Sequence, residues 1–288
     1  MRYGLSIAFS SPEEYVPLAQ AAEERGFAWV TLADHLIYPK QFSVPYPYTP
    51  DGVPRFADSD PFPDPWIAVT AMAAATREIG FYTNVYVLPA RNPVQVAKIM
   101  ATASVFTGGR VALGVGMGWM PEEFAISGQA FHNRGRRADE MIDIMKSLWT
   151  GDWVEHHGEF YDFDAVRMVP APVAPIPILV GGISAPALRR AARNDGWISD
   201  LHTTAELLAL IERLQQKRQA AGTADRPFDI LCFNPLDATT PESHQQLAEA
   251  GVTTVTTAPW AEAALAGPVS LADKLRAMDR FAGDFIQR

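Results

Sequence analysis

The sequence predicts an α/β fold: a closed (β/α)8 TIM barrel in one domain over residues 1–288, with insertion loops at the C-terminal face of the strands. Three observations predict it. Short apolar runs alternate with amphipathic stretches eight times, the pattern of parallel strands each followed by a covering helix. The 288 residues suit the roughly 250 of such a barrel plus insertions. Two stretches, residues 36–64 and 151–175, are too long for ordinary connections, as functional loops on a barrel are. An open doubly wound sheet is the alternative, because counting strands does not prove closure.

The elements follow in order. Residues 3–9 read as a strand. The helix after it opens at Ser11-Pro12-Glu13-Glu14, which joins an N-cap residue, an early proline and first-turn acids, and it stops at Gly26. Residues 27–33 are the second strand, 65–76 an alanine-rich helix, and 79–88 a third strand of aromatic and β-branched residues. A helix over 93–106, a strand over 110–116 and a helix over 134–149 come next. Strands at 177–180, 197–201, 228–233 and 252–257 then alternate with helices at 186–193, 205–221, 241–250 and 271–285. The segment 36–64 is rich in Pro, Tyr and Phe, and 151–175 carries His156-His157 and a proline cluster.

Composition narrows the function. Hydrophobic residues make up 48% and charged residues 20%, which excludes a disordered or fibrous chain. Lys and Arg number 24 against 33 Asp and Glu, and the net charge of −9 argues against nucleic acid or an anionic membrane as partner. A small-molecule substrate is the expected partner. The single cysteine, Cys232, allows no internal disulfide, and its apolar run Ile230-Leu231-Cys232-Phe233 reads as a buried thiol. The N-terminus has no signal-peptide pattern and no window approaches 18 apolar residues, so the expected compartment is the cytoplasm.

Barrel active sites lie at the C-terminal ends of the strands. The second strand ends in Ala33-Asp34-His35, where His35 can act as a general acid/base or simply cap the strand end. Gly114, Gly116 and Gly118 alternate along the fourth strand. They either clear side chains for a flat ligand or form a turn or bulge, and Trp119 beyond them is a candidate ring-stacking wall. Gly181-Gly182-Ile183-Ser184 precedes a helix and reads as a phosphate cradle, since a plain cap needs only one glycine or serine. Asn84, polar in a buried strand, needs a partner from protein or ligand. No HExxH, calcium-loop or G-x-S-x-G spacing occurs, and the adjacent His156 and His157 point to opposite sides, so neither a metal site nor a hydrolase is expected.

Taken together, Ala33-Asp34-His35, Pro89 with Arg91-Asn92-Pro93, the run from Gly109 to Gly116, and Gly181-Gly182 followed by Ala187 to Arg193 and Asp195-Gly196-Trp197 resemble the bacterial luciferase-like superfamily. Within it they are similar to the branch that uses the deazaflavin coenzyme F420. The match spans essentially the whole barrel and keeps the motif order. The resemblance implies hydride transfer between coenzyme F420 and a small organic substrate, with His35 as the catalytic residue that manages the proton. It implies cofactor contacts at Asp34, Asn84, Val85, Gly116, Gly118, Gly181, Gly182, Ile183, Ser184, Gly196 and Trp197, with a non-proline cis peptide at Asn84-Val85. Tyr38 and Trp119 are the substrate candidates. Lys40, Arg55 and Arg91 are candidates for the cofactor's polyglutamate-like tail. Related sugar-phosphate dehydrogenases carry a glutamate after the fourth-strand glycines, where this chain has Trp119. That departure points to an apolar or aromatic substrate. An FMN-dependent monooxygenase is the second reading and a flavin-binding protein without turnover the third. A homodimer is a further expectation; the apolar helix over 65–76 is either a surface for it or is covered by the long loop before it.

Overall fold

The computed structural model describes residues 1–287. The parallel strands β1 (Arg2–Ser6) and β2 (Trp29–Leu32) are joined through α1 (Tyr15–Glu24), with Gly4 opposite Trp29 and Ser6 opposite Thr31. After α2 (Pro65–Ala74) come β3 (Gly80–Thr83) and the short β4 (Tyr86–Val87), separated by Asn84 and Val85, whose shared peptide is cis. The chain continues through α3 (Pro93–Thr107), β5 (Val111–Gly116), α4 (Pro121–Ile126) and α5 (Arg134–Leu148) to the antiparallel pair β6 (Trp153–His157) and β7 (Asp162–Arg167). It ends in β8 (Ile178–Gly181), α6 (Ala185–Ala191), β9 (Gly196–Ile198), α7 (Thr204–Ala220), β10 (Asp229–Phe233), α8 (Pro241–Glu249), β11 (Thr254–Thr257), α9 (Ala261–Ala264) and α10 (Leu271–Phe281).

The strand order is β3-β2-β1-β11-β10-β9-β8-β5, and β3 also pairs with β5, Phe81 opposite Val111. That last pairing closes the ring. Among the described residues it is an eight-position parallel barrel whose third position is split into β3 and β4, and β4 rejoins β5 with Tyr86 opposite Val115. The open-sheet alternative falls. Strands covered on both faces are buried along their length, as β5 is at every residue. Tyr82, Ala112, Leu179, Ile198 and Leu231 fill the barrel, while the large outer cluster lies between strands and helices.

Local chemistry sets several helix starts, though not that of α1: Ser11, expected to cap it, makes no capping hydrogen bond, and a 3-10 turn over Pro12–Glu14 precedes α1. Asp64 accepts from Trp66 N and Ile67 N, Asn92 from Val94 N and Gln95 N, and Thr203 forms a reciprocal capping box with Glu206. Proline follows the first two of these caps, where no N–H is needed.

The two insertions differ in place. Residues 36–64 follow β2 and lie over the C-terminal ends of the strands, as expected. Residues 151–175 leave from the far end of α5, and β6 and β7 run up the outside of that helix instead of covering the barrel mouth. Glu140 of α5 receives Phe160 N and Tyr161 N, and Arg136 pairs with Glu159 near the helix start. The hairpin takes His156 to Glu140 and His157 to Asp162, so the two rings serve different carboxylates. α4 is a further element that no periodicity marked, since six residues hold less than two helical turns.

Candidate active site

The end of β2 places two acids and a histidine together. Asp34 is buried, and its carboxylate accepts both guanidinium arms of Arg91 at 2.8 Å and Val87 N at 2.8 Å. Burial pushes the Asp34 carboxyl above its ordinary value against the pull of Arg91 and the Val87 amide. On Arg91, burial acts downward, but Asp34, Tyr86 and Glu123 together outweigh it and the guanidinium titrates above its usual value. Arg91 also stacks on Tyr86, 3.9 Å from the ring centroid. Asp34 therefore anchors the loop after β4 and is not exposed to a ligand. Arg91, a candidate for the cofactor tail, is already committed to it.

His35 is next to this pair. Its Nδ1 is 3.3 Å from Oε2 of Glu123, whose side chain is fully buried, and Glu123 Oε1 accepts Leu36 N at 2.6 Å. Glu123 was not singled out from the sequence. Its signal, two acids in the first turn after Pro121, is also that of an ordinary helix start. The position directly after the glycines is indeed Trp119, yet a carboxylate four residues later reaches the histidine.

Aromatic rings from the first insertion and from the loop after β5 surround His35. Phe56 lies 5.1 Å away, Phe62 5.3 Å, and Trp119 6.2 Å edge-on. Phe9, held at φ 63, faces Phe56 and Phe62. Trp119 stacks on Phe42 at 5.3 Å and meets Tyr46 edge-on, so its face is covered by the chain's own loop. Tyr38 touches Phe42 and Phe56 at the exposed edge of the same cluster. Burial in the loop pushes the Tyr46 hydroxyl up to about 12.

The glycines make room for protein. A Cβ on Gly114 would lie 1.8 Å from Thr83 O, one on Gly116 2.4 Å from Val85 Cγ2, and one on Gly181 2.7 Å from Val85 Cγ1. Gly118, at φ 73, would strike Phe124 and Val87. Gly114, Gly116 and Gly181 thus seat the Asn84-Val85 break in the third barrel position, which corrects the reading of the fourth-strand glycines as a clearing for a flat ligand. Asn84 N donates to Leu32 O, while its buried side-chain Nδ2 has no partner among the described residues. The Trp119 Nε1 is orphaned in the same way.

At the end of β8, Gly182 takes φ 106 and its carbonyl accepts Trp197 Nε1 at 2.9 Å. Ser184 caps α6 through Ala187 N. Among the described residues the amides of Gly182, Ile183 and Ser184 donate to no protein acceptor. Gly196 and Trp197 lie elsewhere than expected. Gly196 pairs with Leu179, two residues below Gly181, and a Cβ there would meet Leu179 and Asp229 O. Trp197 is fully buried in the outer cluster and supports the Gly182 turn from behind.

Of the tail candidates, Arg55 is bound to Asp200 at 2.9 Å and to Tyr48 O at 2.6 Å, while Lys40 is exposed. Cys232 is buried, and burial pushes its thiol up to about 12, so it is no nucleophile. No helix among the described residues is long and apolar enough to cross a membrane.

Known proteins resemble this chain in sequence and in fold. The luciferase-like monooxygenase family matches residues 3–277. An uncharacterized protein of Mycobacterium tuberculosis is 42% identical over 255 residues, 88% of each chain. An F420-dependent glucose-6-phosphate dehydrogenase of Gordonia bronchialis is 32% identical over 227 residues, 76% of this chain and 62% of that one. In three dimensions, an F420-dependent secondary alcohol dehydrogenase superposes with a TM-score of 0.76 at 17% identity, over 99% of this chain and 98% of that one. With a barrel split at Asn84-Val85, a histidine at the end of β2 and a family match over nearly its full length, this chain belongs to the luciferase-like monooxygenase family, whose members related to it include F420-dependent oxidoreductases.

Proposed function

We propose that the protein transfers a hydride between coenzyme F420 and a small apolar or aromatic organic substrate at the barrel mouth. The observation that carries this reading is His35, anchored by a buried carboxylate and surrounded by Phe56, Phe62 and Trp119. The residues present fit a flat ligand with an anionic tail. The orphaned Asn84 Nδ2 offers a buried donor, and the unpartnered amides of Gly182, Ile183 and Ser184 suit a phosphate. Ile183 and Ser184 remain proposed contacts together with Val85, and exposed Lys40 is the proposed cation for the tail.

A bound deazaflavin supplies or takes up the hydride. The chain's part is to hold the substrate against it, exclude water and handle the accompanying proton. The aromatic loop does the first two, and its rings favour an apolar or ring-bearing molecule over a sugar. His35 does the third, because the aromatic side chains around it carry no group that exchanges a proton at neutral pH.

The test is an anaerobic titration of the purified protein with F420 and with FMN, followed by turnover on enones, imines and alcohols. F420 binding with turnover, and a loss of about 10²–10⁴-fold in His35→Ala with unchanged cofactor affinity, is the expected result. FMN binding with oxygen consumption would move the reading to a monooxygenase. Tight binding without turnover would leave a flavin-binding protein.

A further inference from the structure

We infer that Glu123 is a positioning residue that fixes the tautomer of His35, placing the hydrogen on Nδ1 and leaving Nε2 as a free acceptor. The inference rests on the reading of His35 as the proton-handling group.

Glu123 is fully buried in α4, and no lysine or arginine lies within ion-pair distance among the described residues. Its two oxygens have separate duties. Oε1 accepts the main-chain N–H of Leu36 at 2.6 Å, a group that can only donate. Oε2 faces His35 Nδ1 at 3.3 Å. With both Glu123 oxygens accepting, Nδ1 carries the hydrogen, and in the neutral ring the lone pair then lies on Nε2. Nε2 has no hydrogen-bond partner among the described residues. Thus the ring is set to take a proton from a ligand and can give one only after receiving it.

The same carboxylate ties the ring to the insertion, because Leu36 is the first residue of the segment 36–64 that brings Phe56 and Phe62 against His35. Asp34 does not compete for Nδ1. Both its oxygens are taken by Arg91 and Val87. The arrangement follows the general logic by which a buried acid sets the tautomer of a catalytic histidine.

Replacing the carboxylate by an amide gives a sharp test. In Glu123→Gln the amide oxygen stays on Leu36 N–H, since that donor needs an acceptor, and the NH2 turns to Nδ1. The ring must then accept at Nδ1 and carry its hydrogen on Nε2. Long-range ¹H–¹⁵N spectra of histidine-labelled protein, with the His35 signals assigned by their loss in His35→Gln, read this directly without cofactor or substrate. The expected result is the Nδ1–H form in the wild type and the Nε2–H form in Glu123→Gln. A wild-type protein already in the Nε2–H form, as a protonated Glu123 would produce, overturns the inference even if the variant does not fold. An unchanged tautomer in a folded variant overturns it as well. Failure of either cofactor to bind would count against the proposed function and leave this measurement standing.

Discussion

At the scale of single residues, buried ionisable groups here are held by specific partners. His244 shows this away from the barrel mouth. Its ring packs 4.4 Å from Phe285, Nε2 lies 2.7 Å from Asn234 Oδ1 and Nδ1 3.2 Å from the Tyr3 hydroxyl. Nε2–H donates to the amide oxygen and Nδ1 accepts from the phenol, so the neutral ring satisfies both. Burial pulls the His244 pKa below its ordinary value of about 6.5. A base with a depressed folded value binds fewer protons than the unfolded chain. Its contribution to stability is complete above the ordinary histidine range and is lost as the pH falls through that range. The urea midpoint should therefore drop between pH 7 and pH 5 by more in the wild type than in His244→Gln. Equal drops in the two proteins would remove this residue from the acid response. That His35 and His244 have different duties was only half legible in the sequence. A histidine at a strand end was visible, but its partner Glu123 lies 88 positions away.

At the scale of elements, the split third strand depends on its neighbours having no side chains. Val85 sits where Gly116 and Gly181 would carry Cβ atoms, and Thr83 O sits where Gly114 would. Overpacking of this kind costs about 1–3 kcal/mol when side chains can shift, and more against main chain. Gly116→Ala should lower the melting temperature. Adding Val85→Ala should recover part of the loss, because the clashing atom is a Val85 methyl. Gly114→Ala should be worse, and Val85→Ala should not rescue it, since the obstacle is a carbonyl oxygen. A double variant no more stable than Gly116→Ala alone would mean that the glycine serves something other than Val85. The alternation of these glycines was plain in the sequence, and a bulge was one of its two readings. What faced them was decided by strands packing side by side.

For the whole molecule, α2 and α3 carry exposed apolar side chains on the outer layer. Ile67 on α2 is 75% exposed and Phe106 on α3 is 69% exposed, and the insertion before α2 does not cover them. Thr70, Ala71 and Ala74 on α2 are also exposed, so the outward side of that helix carries no charge. Such a face in a chain of net charge −9 suits a second copy of itself, and a homodimer through α2 and α3 is the proposed assembly. Replacing Ile67 and Phe106 together by glutamate should halve the mass measured by light scattering while leaving the circular dichroism spectrum unchanged. A wild-type protein that runs as a monomer would end that proposal.

The sequence by itself determined the eight-fold alternation of strand and helix and, through its motifs, the resemblance to the family. The alternation follows from a local rule, because side-chain direction repeats along a strand or helix. Tertiary structure alone decided that Arg91 locks Asp34 instead of greeting a ligand, that Glu123 reaches His35, that Trp197 stands behind the Gly182 turn, and that the segment 151–175 flanks a helix. Each of those contacts joins parts of the chain that meet only once β3 pairs with β5 and the ring is shut, and no local pattern encodes which side chains that closure brings face to face.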